Sequence, residues 1–141
     1  MQGRPLLTGR WLLSAGGDGT GPGISKDKCS AFMDNFCKPE MQQRPMMMPA
    51  SSGEIRHLNA TIAAFLITRP PIGFIGWGWE SDDRMWPKDN VTGYEPFLLQ
   101  PGTPSGLCKS EGGGVYSREW SNGKVTLDCN AWEAKLPFPS L

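Results

Sequence analysis

The chain has 141 residues, with 14 Lys+Arg balanced by 14 Asp+Glu, 18 glycines, 13 prolines and six tryptophans. That length suits one modest domain with a core and is too short for a complete (β/α)₈ barrel of about 250 residues. A formal net charge of zero with no basic stripe argues against nucleic acid as a partner, and the absence of an apolar run of about 18 residues argues against a membrane span.

Residues 1–15 carry Leu6-Leu7 and Trp11-Leu12-Leu13, which predict a strand or two short ones. Met1 to Pro5 lacks the basic and apolar regions of a signal peptide. Gly16 to Gly23 (GGDGTGPG) reads as a loop; it lacks the Gly-Lys-Ser/Thr ending of a phosphate cradle. Residues 25–37 predict a short helix with Ala31, Phe32, Met33 and Phe36 as its apolar content. Residues 38–50 read as loop. Within them, Pro45-Met46-Met47-Met48-Pro49 is better explained as an extended apolar filler against the core than as a Cu(I) site.

Ser51-x-x-Glu54 is a capping box that opens the clearest helix. Ile55, Leu58, Ile62, Phe65 and Leu66 follow at helical spacing, and Pro70-Pro71 ends the segment. His57 has no neighbouring ligand motif and reads as a boundary residue. Residues 72–79 predict a strand with Phe74, Gly76 and Gly78 on one face and Ile75, Trp77 and Trp79 on the other. Residues 86–106 read as irregular chain with a short apolar strand near Phe97-Leu98-Leu99. Val115 to Cys129 predicts a hairpin about an Asn122-Gly123 type I′ turn. That turn opposes Trp120 to Val125, Arg118 to Leu127 and Tyr116 to Cys129.

Four cysteines, Cys29, Cys37, Cys108 and Cys129, make an even count without a C-x-x-C, and with one histidine a zinc site is not expected. Disulfides are expected instead. Of the three connectivities, Cys29–Cys37 with Cys108–Cys129 is favoured, although the first pair requires the intervening helix to bend. Asn59-Ala60-Thr61 and Asn90-Val91-Thr92 fit the N-glycosylation pattern. Together with paired cysteines they point to a secreted or secretory-pathway protein. With no leader visible, the chain is expected to be part of a longer one.

Chemistry concentrates in Trp77-Gly78-Trp79-Glu80-Ser81-Asp82-Asp83-Arg84. Indole rings stack on sugar faces and carboxylates bind hydroxyls. Glycosidic cleavage uses two carboxyl groups roughly 5–9.5 Å apart, a spacing that sequence does not define. Trp77, Trp79, Glu80, Asp82 and Asp83 are the candidate carbohydrate-contacting residues, with a solvated polar loop as the plainer reading of the aspartates. Arg118 and Glu119, adjacent on a strand, face opposite ways. Arg118 is either part of an internal ion pair or a substrate contact. No cofactor is implied.

From about Ser52 to Trp132 the chain resembles the final portion of secreted glycoside-hydrolase-like barrel proteins of algae and other protists. The resembling pieces are LNATIAAFLITRPP, GFIGWGWESDDRMWP, GTPSGLC and GVYSREWSNGKVTLDCNAW. The resemblance implies an α/β fold: a partial (β/α) barrel made of the last βα units plus a C-terminal antiparallel hairpin. It implies a loop-rich part over 1–50, the last helix–strand unit and closing hairpin over 51–133, and a tail over 134–141. It places Trp77, Trp79, Glu80 and Arg118 near the open end of a carbohydrate cleft. The strands bearing the acid and nucleophile would precede Met1, so the chain is not expected to hydrolyse glycans alone. The alternative is a self-contained, disulfide-stabilised secreted binding or structural module.

Overall fold

The computed structural model describes residues 12–13, 24, 26–50, 58–77 and 98–141. In chain order the elements are β1 (Leu12–Leu13), α1 (Cys29–Phe36), β2 (Met46–Ala50), α2 (Leu58–Thr68) and β3 (Gly73–Trp77), then β4 (Lys109–Gly112), β5 (Val115–Trp120), β6 (Gly123–Asp128) and β7 (Glu133–Lys135). The protein is α/β, and its described strands fall into two sheets. β1, β2 and β3 are parallel and adjacent in chain order, with a helix in each crossover. β4 to β7 form an antiparallel meander.

The methionine run expected as loop-like filler is a full strand, β2, at the centre of the parallel sheet. Its extended, apolar character was legible; Pro49 concealed the ladder, because proline is a poor residue for a central strand. Met46 and Met48, two residues apart, are buried on the same face. Met46 pairs with Gly73 and Met48 with Ile75.

α2 is buried through all of residues 60–68. A helix that buries every side must be covered on every side. α2 touches β2 of the parallel sheet and β5, β6 and β7 of the antiparallel one, so it forms the layer between them. The capping box Ser51 to Glu54 and His57 lie outside the described residues.

The disulfides join distant elements: Cys29 to Cys129 and Cys37 to Cys108, with Cα atoms 5.5 and 5.3 Å apart. The favoured pairs Cys29–Cys37 and Cys108–Cys129 therefore do not form. Cys29 opens the eight-residue α1 and Cys37 directly follows it, so at 1.5 Å per residue they stand roughly 12 Å apart, too far for a bridge. Cys108 precedes β4 and Cys129 follows β6, and β5 lies between those strands. Two strand spacings, about 9.6 Å, separate them. Each bond instead fastens one end of α1 to the antiparallel sheet, and between them the Tyr116 hydroxyl donates to Asp34 Oδ1 at 2.6 Å.

The hairpin forms in a different register. Its turn residues are Ser121 and Asn122, which pairs Trp120 with Gly123, Arg118 with Val125 and Tyr116 with Leu127. Neither turn residue has the positive φ of a type I′ turn. Both are held by the preceding chain: Ser121 N–H donates to Thr103 O at 2.8 Å, and Asn122 N–H to Pro101 O at 3.1 Å. The Asn122 side chain adds a bond to Gln100 O at 2.9 Å. The register differs from expectation by two residues, so every side chain keeps its expected face. Gly123 is required by close approach, since a Cβ there would lie 2.8 Å from Pro137 O.

Candidate functional site

The parallel sheet has two ends, and its register identifies them. β2 and β3 run side by side from Met46 and Gly73 to Ala50 and Trp77. At roughly 3.3 Å per residue, the two ends are about 13 Å apart. In α/β sheets the carboxyl end builds binding sites and the amino end serves stability.

Trp77 is the last residue of β3 and lies at the carboxyl end, its backbone paired with Ala50. Trp79, Glu80, Asp82, Asp83 and Asn90 lie outside the described residues. The strand expected over 72–79 is described over Gly73–Trp77. Phe74 is 52% exposed, while its neighbour Ile75 is partly buried against the core. Ile75 shares a face with the buried Met48, so Phe74 belongs to the face turned away from α2.

Arg118 lies at the opposite end. It is 5% exposed, its guanidinium lies over the Trp120 ring, and carbonyls accept its described hydrogen bonds. Nε donates to Gly106 O at 3.0 Å. Nη1 donates to Arg69 O at 2.6 Å and, at 3.5 Å, to Ile67 O. Nη2 donates to Gln42 Oε1 at 3.3 Å. Gln42 and Arg69 each lie four residues before a strand, so this is the amino end of the sheet. Arg118 therefore does not join Trp77 at an open rim, as the resemblance implied. Among the described residues, carbonyls take the place of the carboxylate expected in an internal ion pair. Burial lowers the guanidinium pKa, and the nearby Arg69 lowers it further.

These bonds serve a purpose at the end of α2. The last carbonyls of a helix have no partner within it and carry its negative pole. The Trp120 indole N–H donates to Leu66 O at 3.2 Å, Arg118 reaches Ile67 and Arg69, and Gln42 Nε2 donates to Thr68 O at 3.1 Å. Thr68 Oγ1 turns back to Ala64 O at 2.8 Å. Trp120 and Gln42 were not singled out from sequence. The available signal was the alternation Tyr116-x-Arg118-x-Trp120, three long side chains with polar tips on one strand face.

The outer face of the antiparallel sheet carries a separate polar cluster. Ser117 donates to Glu111 Oε1 at 2.5 Å, and Lys124 Nζ sits 2.9 Å from the same oxygen. Lys109 Nζ stands at 3.8 Å. The Ser117 bond, followed by the one from Lys124, brings the Glu111 pKa down to about 2.

No group of three or more His, Cys, Asp or Glu among the described residues is arranged to hold a metal ion. No described helix is long and apolar enough to cross a membrane. The two disulfides fit an oxidising compartment. The chain matches no protein-family model and no curated protein.

Proposed function

We propose that this chain supplies the last β/α units of a secreted, carbohydrate-binding (β/α)-barrel protein of glycoside-hydrolase type. Its contribution to the glycan cleft is the segment that leaves the carboxyl end of β3, with Trp77 and Trp79 as stacking platforms and Glu80, Asp82 and Asp83 as hydroxyl acceptors. The observation that carries this reading is the strand order. β1, β2 and β3 are parallel and adjacent in sequence order with a helix in each crossover. Barrels are built by that repeated step, and over these three strands no reversal of order interrupts it; each half of a doubly wound sheet shares the step.

The exposed Phe74 supports the same reading. Parallel sheets bury both faces, yet α2 covers one and Phe74 stands open on the other. In a barrel that second face is the filled interior. A closed barrel needs about eight strands; on this proposal, strands beyond the three described ones come from a further part of a longer protein. Those strands would bring the acid and nucleophile, and this chain would not hydrolyse glycans alone.

Affinity electrophoresis of the secreted protein against a panel of soluble polysaccharides tests the proposal. At least one polysaccharide should retard the wild type, and Trp77→Ala and Trp79→Ala should each weaken that retardation. Wild-type retardation in both variants would sink the cleft assignment.

The self-contained module remains the second reading, favoured by one observation: both disulfides connect α1 to the antiparallel sheet. It predicts an isolated monomer that unfolds cooperatively and loses that cooperativity on reduction.

A further inference from the structure

We propose that Asn59 carries an N-linked glycan, and that the glycan is attached before α2 folds. Asn59-Ala60-Thr61 has the acceptor pattern, and the structure adds two observations to it. Asn59 is exposed, whereas residues 60–68 are all buried between the two sheets. It is therefore the one position of residues 59–68 from which a bulky, hydrated substituent reaches solvent without parting a packed layer. The disulfides independently point to the oxidising compartment in which such transfer occurs.

The timing follows from helix geometry. Residues two apart on an α-helix are rotated by about 200°. Thr61 is accordingly on the far side of α2 from Asn59 and is only 4% exposed. The transferase must engage both the asparagine amide and the threonine hydroxyl, which the folded helix does not present together. In the unfolded segment they are both accessible. The donor is a lipid-diphosphate-linked oligosaccharide. The Asn59 amide nitrogen bonds to the anomeric carbon, and the bond from that carbon to the diphosphate oxygen breaks. The lipid diphosphate leaves with the bonding pair, the amide gives up one proton to the enzyme's base, and no atom changes oxidation state.

The protein secreted from a eukaryotic host is treated with peptide N-glycosidase in ¹⁸O water and mapped by mass. Asn59 should be recovered as ¹⁸O-labelled aspartate, and Asn59→Gln should lose that label while still being secreted with both disulfides. An unlabelled Asn59 in the secreted, oxidised protein overturns the site. In a second arm, purified transferase and lipid donor are offered unglycosylated protein, either folded and oxidised or reduced and denatured. Modification of the denatured chain at least tenfold faster is expected; equal rates overturn the timing. Neither arm reads glycan binding, so the outcome is independent of the cleft assignment.

Discussion

Replacing Arg118 with methionine removes a guanidinium from the end of α2 while keeping a long apolar stem. Two of its bonds are short, 2.6 Å to Arg69 O and 3.0 Å to Gly106 O. Hydrogen bonds from a charged donor contribute about 1.5–3 kcal/mol each, which sets a gross loss of roughly 3–6 kcal/mol for the pair. Both bonds come from one guanidinium, so their losses overlap and do not add in full. The expected net loss is about 2–4 kcal/mol, most of it from carbonyls left without a donor. At roughly 3 °C per kcal/mol for a chain of this size, the midpoint should fall by about 6–12 °C. Arg118→Lys keeps the charge but lacks the planar fork that serves several carbonyls at once, and should fall between the two. Urea titration of the oxidised protein, followed by tryptophan fluorescence and far-ultraviolet circular dichroism, measures both variants. A stability for Arg118→Met within about 0.5 kcal/mol of wild type, the range of ordinary surface substitutions, would refute the claim that these bonds hold the helix end.

Non-reducing peptide mapping should recover Cys29 linked to Cys129 and Cys37 linked to Cys108; a Cys29–Cys37 peptide would contradict the arrangement of α1. The paired change Cys29→Ala with Cys129→Ala releases a tie across 100 residues and should cost up to about 4.7 kcal/mol in the chain-entropy limit, less while the second disulfide stays closed. Glu111 should titrate near pH 2, against an ordinary value of 4.5. Its folded pKa is the lower one, so its stabilisation is complete above about 4.5 and is lost as pH falls toward 2; carboxyl NMR showing a midpoint above 4 would contradict the cluster. Gly123→Ala drives a Cβ to 2.8 Å from Pro137 O and 3.1 Å from the Phe138 ring, an overpacking cost of about 1–3 kcal/mol in thermal unfolding.

Much of the local structure was legible because its signals are local. Ala31, Phe32, Met33 and Phe36 marked α1, and the run ending at Pro70-Pro71 marked α2. The alternation from Val115 to Trp120 gave β5 its correct faces. What escaped depends on neighbours distant in sequence. β4 (Lys-Ser-Glu-Gly) is exposed at every position, and β7 has three residues. Short, charged edge strands carry no apolar alternation to read. The disulfide pairs depend on how α1 spans the antiparallel sheet, which nothing within either cysteine's own segment encodes. The hairpin register depends on Gln100, Pro101 and Thr103 gripping Ser121 and Asn122. For the candidate site, Trp77 at a strand's carboxyl end was legible from the run Gly73 to Trp77. The placement of Arg118 was not: an arginine on an apolar strand face fits a cleft contact and a helix cap equally until the helix end is located.

That location separates the helix-end bonds from the proposed glycan contact in a way the variants can expose. Arg118, Gln42 and Trp120 gather at the amino end of the parallel strands, where they satisfy Leu66, Ile67, Thr68 and Arg69 carbonyls. Trp77 closes the other end, about 13 Å along the strand. Substitutions at well-separated sites add independently. Arg118→Met should therefore lower the unfolding midpoint and leave polysaccharide retardation of the folded protein unchanged. Trp77→Ala should weaken retardation even at temperatures far below its own midpoint. If Arg118→Met abolished retardation in protein shown by circular dichroism to be folded, the two ends would be coupled. The assignment of one to stability and the other to glycan contact would then have to be abandoned.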